Sequence, residues 1–404
     1  MDREEFLPYD SPMENLSRHW TLDPEVTFLN HGSFGACPTP VLEAQQELRA
    51  LLEREPVDFM ARRWEARMDA ARAELAAFVG ADPDDLAFVP NATAGVNTIL
   101  RSLRFEQGDE LLVTDHEYNA SRNALDHAAE QNGARIVVAR VPFPLSSAGA
   151  VVDSVLELVT PRTRLALLDH VTSATGLVLP IERLVAALRE RGVETLVDGA
   201  HAPGMLPLDL TRLGAAFYTG NCHKWMCTPK GSALLYVRRD RQKGIRPLSI
   251  SHGANSPRKD RSRFRLEFDF TGTDDPTPFL AVPAAIRFLG ELLPGGWDEL
   301  RARNRALALR ARAILCEALA VAPPAPEDMI GSLAAVPLPP ASPDPRLPPL
   351  ATDPLMNVLY EKRRIEVLTS IFPESPRRVL RVSAQIYNRE DQYRHLANAL
   401  RELL

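Results

Sequence analysis

Lys224 and Asp198 are the two residues whose types and spacing predict a specific chemistry. Residues 1–223 contain no lysine, and only five of the 47 lysine and arginine residues in the chain are lysines. Lys224 lies in the tryptophan-flanked segment Gly220-Asn-Cys-His-Lys-Trp225, 26 residues after Asp198, which ends an apolar run. Pyridoxal 5′-phosphate (PLP) chemistry requires a lysine amine that condenses with the aldehyde and a carboxylate that pairs with the protonated pyridine nitrogen. We therefore predict that Lys224 forms the Schiff base with PLP and that Asp198 pairs with its ring.

The segment Asn91-Ala-Thr-Ala-Gly95 predicts a phosphate site, because it opens a helix directly after a strand. Free backbone N–H groups and the helix dipole bind anions at such a position, and the Thr93 hydroxyl adds a donor. The same residues also fit an ordinary helix cap. The segment therefore indicates a phosphate site only in combination with Lys224 and Asp198.

Histidines and an aromatic residue accompany these segments. His201 follows Asp198 by three residues and His223 directly precedes Lys224, which predicts that they lie beside the ring and the phosphate. His116 and Tyr118 follow the strand that ends at Asp115. An aromatic side chain there either stacks on the ring of the cofactor or packs in the core.

The elements that position these residues alternate between helices and strands. Helical periodicity covers residues 41–55, 61–79, 94–103, 119–131, 151–160 and 180–191. Short apolar runs predict seven strands at residues 86–90, 110–114, 135–139, 164–169, 194–198, 217–219 and 232–237. Continuous apolar strands separated by helices indicate an α/β fold with a mostly parallel sheet covered on both faces. Ligands bind at the carboxyl ends of such strands, which is where the polar residues lie.

Length and composition frame the domain organisation. A chain of 404 residues is too long for one ordinary core. We predict an N-terminal segment, residues 1–24, that packs with a small domain; a large PLP-binding domain, residues 25–285; and a small C-terminal α/β domain, residues 286–404. The small domain is expected to contain a helix over 297–320, a proline-rich surface loop within 323–354 and a strand over 379–383.

The charge and cysteine content exclude several functional classes. A net charge of −6 and a pI near 5.9 provide no basic excess for nucleic acid. No apolar stretch approaches membrane-spanning length, and the acidic N-terminus lacks a signal-peptide core. Four cysteines without a Cys-x-x-Cys spacing predict neither disulfides nor a metal site. We expect a cytoplasmic protein that binds no metal, nucleic acid or membrane.

Eight segments in the same order resemble motifs of class V aminotransferase-fold enzymes, and more narrowly of the isopenicillin N epimerase branch. They are Asn30-His-Gly-Ser-Phe-Gly35, Pro56-Val-Asp-Phe-Met-Ala-Arg-Arg63, Asn91-Ala-Thr-Ala94, Asp115-His-Glu-Tyr118, His170-Val-Thr-Ser-Ala-Thr-Gly176, Val197-Asp-Gly-Ala-His-Ala-Pro203, Gly220-Asn-Cys-His-Lys-Trp225 and Gly272-Thr273. The resemblance implies a fold type I PLP enzyme with a seven-stranded sheet, and a homodimer with active sites at the subunit interface.

The resemblance also implies roles for individual residues. The phosphate would be held by Ala92, Thr93, Ala94, Asn221 and His223, with Gly272 and Thr273 reaching across from the partner subunit. Asp198 would pair with the ring nitrogen and His201 with the ring hydroxyl, while Tyr118 or His116 would cover the ring face. Arg381 would clamp the substrate carboxylate, with Asn30, Ser33 and Ser173 as further substrate contacts. Relatives often carry serine where this chain has Asn221.

The fold alone does not define the reaction. A cysteine desulfurase needs a nucleophilic cysteine shortly before the carboxylate-binding arginine, and residues 365–373 contain none. Epimerisation or racemisation at Cα through a quinonoid is the first prediction, with Tyr118 or His116 as the acid opposite Lys224. The alternative is a carbon–sulfur β-lyase of the ergothioneine type. Less favoured alternatives are an aminotransferase and a non-catalytic family member.

Overall fold

The computed structural model describes residues 16–341 and 353–404. Its helices are α1 (His31–Phe34), α2 (Thr39–Arg54), α3 (Trp64–Val79), α4 (Ala92–Ser102), α5 (Asn119–Asn132), α6 (Ala148–Leu156), α7 (Ile181–Glu190), α8 (Leu210–Leu213), α9 (Arg263–Phe268), α10 (Thr277–Leu280), α11 (Val282–Glu291), α12 (Gly296–Leu319), α13 (Pro354–Arg363) and α14 (Glu390–Leu403). Its strands are β1 (Thr27–Phe28), β2 (Leu86–Val89), β3 (Glu110–Thr114), β4 (Arg135–Ala139), β5 (Thr163–Asp169), β6 (Glu194–Asp198), β7 (Phe217–Asn221), β8 (Ala233–Val237), β9 (Leu333–Leu338), β10 (Ile365–Glu366), β11 (Leu368–Ile371) and β12 (Arg378–Ser383).

The predicted seven strands form one sheet in the order β2-β8-β7-β6-β5-β3-β4. Only β8 runs antiparallel to its neighbours, β2 and β7. Six of the seven strands are buried along almost their whole length, because helices cover both faces. The fold class predicted from the sequence is therefore confirmed.

The sheet brings three polar strand ends to one edge. Asp169 and Asp198 are paired in register at the ends of β5 and β6, and Asn221 ends β7. Because β5, β6 and β7 run parallel, their final residues lie side by side at the carboxyl edge of the sheet. This edge holds the candidate site.

A second sheet has its own apolar core. Strands β9, β12 and β11 form an antiparallel three-stranded sheet that packs with α12 and α14. Leu307, Leu315, Leu380 and Leu396 belong to this core, and each is at most 3 % exposed. The predicted small domain requires such a core, while its boundary at residue 286 stays a prediction. Part of the proline-rich stretch, residues 342–352, lies outside the described residues.

The N-terminal segment is described only from residue 16 onward. Leu16 and Trp20 pack with Leu289, Leu293 and Tyr387, so this part contacts both α11 and the C-terminal region. The remainder of the predicted segment 1–24 lies outside the described residues.

No single helix within residues 16–341 and 353–404 is long and apolar enough to span a membrane. Residues Thr277–Glu291 and Gly296–Leu319 meet that criterion only when taken together, and they are bent by 75° at the break between them.

Candidate active site

A cavity of about 250 Å³ lies at the carboxyl edge of the large sheet. The residues that line it come from α1, the start of α4, the turn before α5, the ends of β5, β6 and β7, and the segments that follow these three strands. They are Ser33, Phe34, Asn91, Ala92, Thr93, Tyr118, Asp169, Val171, Ser173, Asp198, Ala200, His201, Asn221, His223 and Lys224. Most of the residues predicted from separate segments therefore meet in one pocket.

The surroundings of the Lys224 amine favour its neutral, nucleophilic form. Its Nζ lies 3.2 Å from His201 Nε2. Burial and the positive charge of Arg381 lower the pKa of Lys224 to about 7, although Asp198 and Asp169 act in the opposite direction. A large fraction of this lysine is therefore neutral at neutral pH, the state that attacks an aldehyde.

Asp198 is held in a fixed orientation and is 2 % exposed. Its Oδ2 accepts a hydrogen bond from Ser121 Oγ at 2.7 Å, and its Oδ1 accepts one from the Ala200 N–H at 3.0 Å. Burial raises the pKa of Asp198, while the two donors and the nearby Lys224 favour the carboxylate. A protonated pyridine nitrogen would supply the cation that this buried carboxylate needs.

Arg381 is a buried guanidinium without a carboxylate partner among the described residues. It is 2 % exposed. Its Nη1 donates to Ser173 O at 2.6 Å, and its Nη2 donates to Ser33 Oγ at 3.0 Å and to Asn30 Oδ1 at 3.3 Å. Burial lowers its pKa to about 10, and its Nε–H has no hydrogen-bond acceptor. A buried cation held only by neutral oxygens is suited to an anionic ligand such as an amino-acid carboxylate.

The start of α4 lines the part of the pocket where the sequence predicts a phosphate site. Asn91 Oδ1 caps the helix by accepting from the Ala94 N–H at 2.8 Å, and Asn221 Oδ1 accepts from the Ala92 N–H at 2.8 Å. These two bonds leave the amide of Thr93 unused by either side chain. A Cβ on Gly95 would lie 2.1 Å from Thr219 Oγ1, so glycine is needed for the helix to approach β7 this closely.

His223 can contact an anion only after it gains a proton. Its Nδ1 lies 3.0 Å from Ser232 O, and a carbonyl accepts only from a protonated nitrogen. The neutral ring therefore carries its lone pair on Nε2. Burial and the adjacent Lys224 lower the pKa of His223 to about 4, and a phosphate dianion would favour the protonated ring instead. Asn221, by contrast, contacts the start of α4, where its Oδ1 accepts from the Ala92 N–H.

His116 and Tyr118 have different surroundings although they are two residues apart. Tyr118 lines the pocket and is 37 % exposed. His116 is 3 % exposed and does not line the pocket. Its Nδ1 contacts Thr175 Oγ1 at 2.9 Å, its Nε2 contacts Val141 O at 3.2 Å, and its ring packs edge-on against Phe372. The structure thus brings only Tyr118 to the site, and His116 belongs to the surrounding core.

Gly272 and Thr273 lie apart from the pocket of their own chain. Thr273 is exposed and no residue of this loop lines the cavity. A role at the phosphate would therefore require the partner subunit, as the sequence resemblance implies. Arg62 and Arg63 are likewise exposed and pair with Asp58.

Several residues at the site were missed by sequence reasoning. Asp169 is 2 % exposed, lines the pocket, and its Oδ2 has no hydrogen-bond partner. Burial and the charge of Asp198 raise the pKa of Asp169 well above its ordinary value, and the same causes together with Asp169 raise the pKa of Glu117. Ser121, which donates to Asp198, was also not among the predicted site residues. Asp169 could have been found from its position at a strand end, as Asp198 was.

These residues fit PLP. They provide a partly neutral amine, a buried carboxylate in need of a cation, a helix N-terminus for a phosphate and an unpaired guanidinium for a substrate carboxylate. The cysteines provide no competing nucleophile, because all four are buried and none lines the pocket. Burial raises the pKa of Cys37 and of Cys222 to about 12, and it also raises the pKa values of Cys227 and Cys316.

Known proteins resemble this chain in sequence. Residues 35–338 match the family described as Aminotransferase class-V. The isopenicillin N epimerase of Streptomyces clavuligerus is 37 % identical over 394 residues, which cover 94 % of this chain and 95 % of that protein. A putative L-cysteine desulfhydrase of Oryza sativa subsp. japonica is 30 % identical over 94 % of this chain and 83 % of its own length.

The fold also resembles solved structures. One is a lysine-to-alanine variant of the protein C-DES with glycine covalently linked to the PLP cofactor. It superimposes with a TM-score of 0.77 and 25 % sequence identity, covering 96 % of this chain and 99 % of C-DES.

Proposed function

This chain belongs to the class V aminotransferase family of PLP-dependent enzymes, and we propose that it is an epimerase or racemase acting at Cα of an amino acid or an amino-acid-containing peptide. The observation that carries this proposal is the buried guanidinium of Arg381, which lacks a carboxylate partner among the described residues and bonds to Ser33 and Ser173 in the wall of the pocket that contains Lys224. A carboxylate held by Arg381 places the attached Cα beside Lys224, where a proton can be removed.

PLP, when bound, supplies an electron sink for the charge that develops at Cα. The protein groups do the remaining work. Lys224 binds the cofactor and, once released, serves as the base at Cα. Asp198 keeps the ring nitrogen protonated, and Ser121 and the Ala200 amide keep Asp198 in place. Thr93 and its neighbours at the start of α4 bind the phosphate.

Tyr118 is the group we assign to the second proton transfer. An epimerase must deliver a proton to the face of Cα opposite the base. Tyr118 lines the same pocket as Lys224 and comes from a different element, the turn between β3 and α5. Its partial exposure lets the hydroxyl exchange protons with solvent, which supports a role as the returning acid.

A carbon–sulfur β-lyase is the second candidate. The match to the rice protein, a putative L-cysteine desulfhydrase, favours it. Both reactions use the same Lys224, Asp198 and Arg381, because both begin with removal of the Cα proton. They differ in whether Tyr118 returns a proton or a β-substituent leaves.

We further propose a cytoplasmic homodimer. Phe34 lines the pocket yet is 63 % exposed, and Leu42, at the rim of a larger cavity of about 420 Å³, is 39 % exposed. A second copy would cover these apolar side chains and bring Gly272 and Thr273 to the phosphate. The four unpaired cysteines support a reducing compartment.

Solvent isotope exchange tests the reaction. Substrates incubated with the holoenzyme in heavy water should return with deuterium at Cα in both L and D products and with an intact side chain. The panel should include L-amino acids, an aminoadipyl peptide and cysteine conjugates. Stoichiometric pyruvate and ammonia from a cysteine conjugate, without any D-product, would exclude the epimerase and favour the lyase.

A further inference from the structure

We infer that Trp225 is a positioning residue that fixes the tautomer of His201, and through His201 keeps the Lys224 amine neutral. The inference rests on the proposed function only in taking this pocket as the cofactor site. It concerns three side chains linked in a row by hydrogen bonds: Trp225 contacts His201, and His201 contacts Lys224.

The first step is the donor that Trp225 provides. Trp225 Nε1 lies 3.4 Å from His201 Nδ1, with its N–H directed at that nitrogen. An indole nitrogen only donates hydrogen bonds, so His201 Nδ1 must accept and must carry a lone pair. A neutral imidazole has one protonated and one unprotonated nitrogen, and therefore its proton is on Nε2.

The second step follows from the contact on the other side of the ring. His201 Nε2 lies 3.2 Å from Lys224 Nζ. Because Nε2 carries the proton, it donates, and Nζ must accept. An ammonium group has no lone pair, so this bond forms only with the neutral amine. The hydrogen bond thus favours the form of Lys224 that attacks an aldehyde.

The surroundings of His201 keep its ring neutral. It is 2 % exposed, and the groups that act on its charge are Arg381 and three groups that are positive only when protonated, Lys224, His223 and His31. Burial and these positive charges lower the pKa of His201 well below its ordinary value. A doubly protonated ring could not accept from Trp225, and none of these neighbours favours it.

Trp225 is itself rigidly placed. It is 1 % exposed, and its ring lies 5.0 Å from that of His31. His31 Nδ1 contacts Tyr387 Oη at 2.7 Å and His31 Nε2 contacts Lys224 O at 2.9 Å, so the backbone of the lysine is fixed by the same cluster. A Cβ on Gly204 would lie 2.4 Å from the Trp225 carbonyl carbon, which shows how closely this segment is enclosed.

Nitrogen NMR of the apoprotein labelled with ¹⁵N-histidine tests the inference directly. His201 should show a protonated Nε2 and an unprotonated Nδ1 in the wild-type chain, with its signals assigned from a His201→Gln variant. A protonated Nδ1 on His201 would overturn the inference. This result is independent of turnover, so it stays interpretable even if the proposed reaction is wrong.

Trp225→Phe removes the donor and keeps an aromatic ring, although a smaller one. We expect its His201 signals to move toward the other tautomer and its apparent PLP affinity to fall roughly five- to tenfold. The matched control is Trp297→Phe, which removes the indole donor to Ile286 O outside the pocket. If folded Trp225→Phe protein kept the wild-type tautomer, Trp225 would not be the residue that fixes it.

Discussion

At the scale of single residues, the site holds ionisable groups that are buried away from water. Burial shifts the pKa values of Lys224, Asp198 and Arg381. Each of these side chains lacks one partner that a bound cofactor or substrate would supply. Groups with perturbed pKa values that lie close together are typical of active sites. The predictions at this scale concern the protonation and pairing of these three side chains.

Lys224 should react with amine reagents at a pH where ordinary lysines are protonated. Labelling of the apoprotein with an acylating reagent should increase as pH rises through about 7, because the neutral amine is the nucleophile and the pKa of Lys224 is lowered to about 7. Peptide mapping identifies the labelled residue. In the holoenzyme, borohydride should fix PLP to Lys224, and Lys224→Ala should abolish the adduct while Lys230→Ala should not. An adduct on Lys230 or Lys243 would contradict the assignment.

Asp198 and Asp169 should respond differently to the same substitution. Asp198→Asn should retain PLP but lower kcat roughly 10- to 100-fold, because an amide cannot form the charge-assisted bond to a protonated ring nitrogen. Asp169→Asn should keep most of the activity, since burial and the charge of Asp198 raise the pKa of Asp169 and favour the neutral carboxyl, which an amide resembles. Equal losses in both variants, measured as kcat at saturating PLP, would show that Asp169 acts as a carboxylate.

Arg381→Lys should mainly weaken substrate binding. One ammonium group cannot reproduce the planar fork of a guanidinium, so we expect KM to rise roughly tenfold or more with a smaller change in kcat. Arg377→Lys is the control, because Arg377 lies just before the same strand and its exposed side chain pairs only with Glu374 among the described residues. An unchanged KM for every amino-acid substrate would place the carboxylate site elsewhere.

At the scale of elements, α4 combines an ordinary cap with an anion site. Asn91 caps α4 as Ser147 caps α6, and each side chain accepts a hydrogen bond from the N–H of the third residue of its helix. Loss of either cap should cost about 1 kcal/mol of stability. Of these two caps, only Asn91 lines the pocket. Replacing each cap by alanine therefore distinguishes an effect on stability from an effect on cofactor binding.

Asn91→Ala should therefore weaken PLP binding, whereas Ser147→Ala should not. Both variants should lose similar stability in urea denaturation of the apoprotein. Titration of apoprotein with PLP, followed by absorbance, measures the affinity. Similar PLP affinities in the two variants would mean that the start of α4 does not hold the phosphate.

At the scale of the whole molecule, the site is proposed to be completed by a second copy. Thr273 is exposed and lies outside the pocket of its own chain, and we propose that it contacts the phosphate bound by the second copy. Thr273→Ala should lower PLP affinity severalfold, while Thr271→Ala, an exposed neighbour in the same loop, should leave it unchanged. Sedimentation of the holoenzyme should show a dimer. A monomer that binds PLP with full affinity would contradict the shared site.

The sequence by itself determined the alternating elements, the seven strands and the positions of Lys224 and Asp198. These features are local: apolar runs predict buried strands, and polar residues at the ends of parallel strands must meet at one edge. The predicted helices 119–131 and 297–320 lie within one residue of α5 and α12 at both ends. The residues at positions 365–373 also showed that no cysteine lies shortly before Arg381.

Only the tertiary structure decided which polar side chains face the pocket and which partners they lack. Tyr118 and His116 differ by two positions, but long-range packing against Phe372 and Thr175 places His116 in the core. Arg381 comes from the small sheet, and its lack of a carboxylate partner among the described residues depends on Asn30 and Ser173, distant in the chain. Pairing and burial are set by contacts between remote segments, and spacing along the chain does not contain that information.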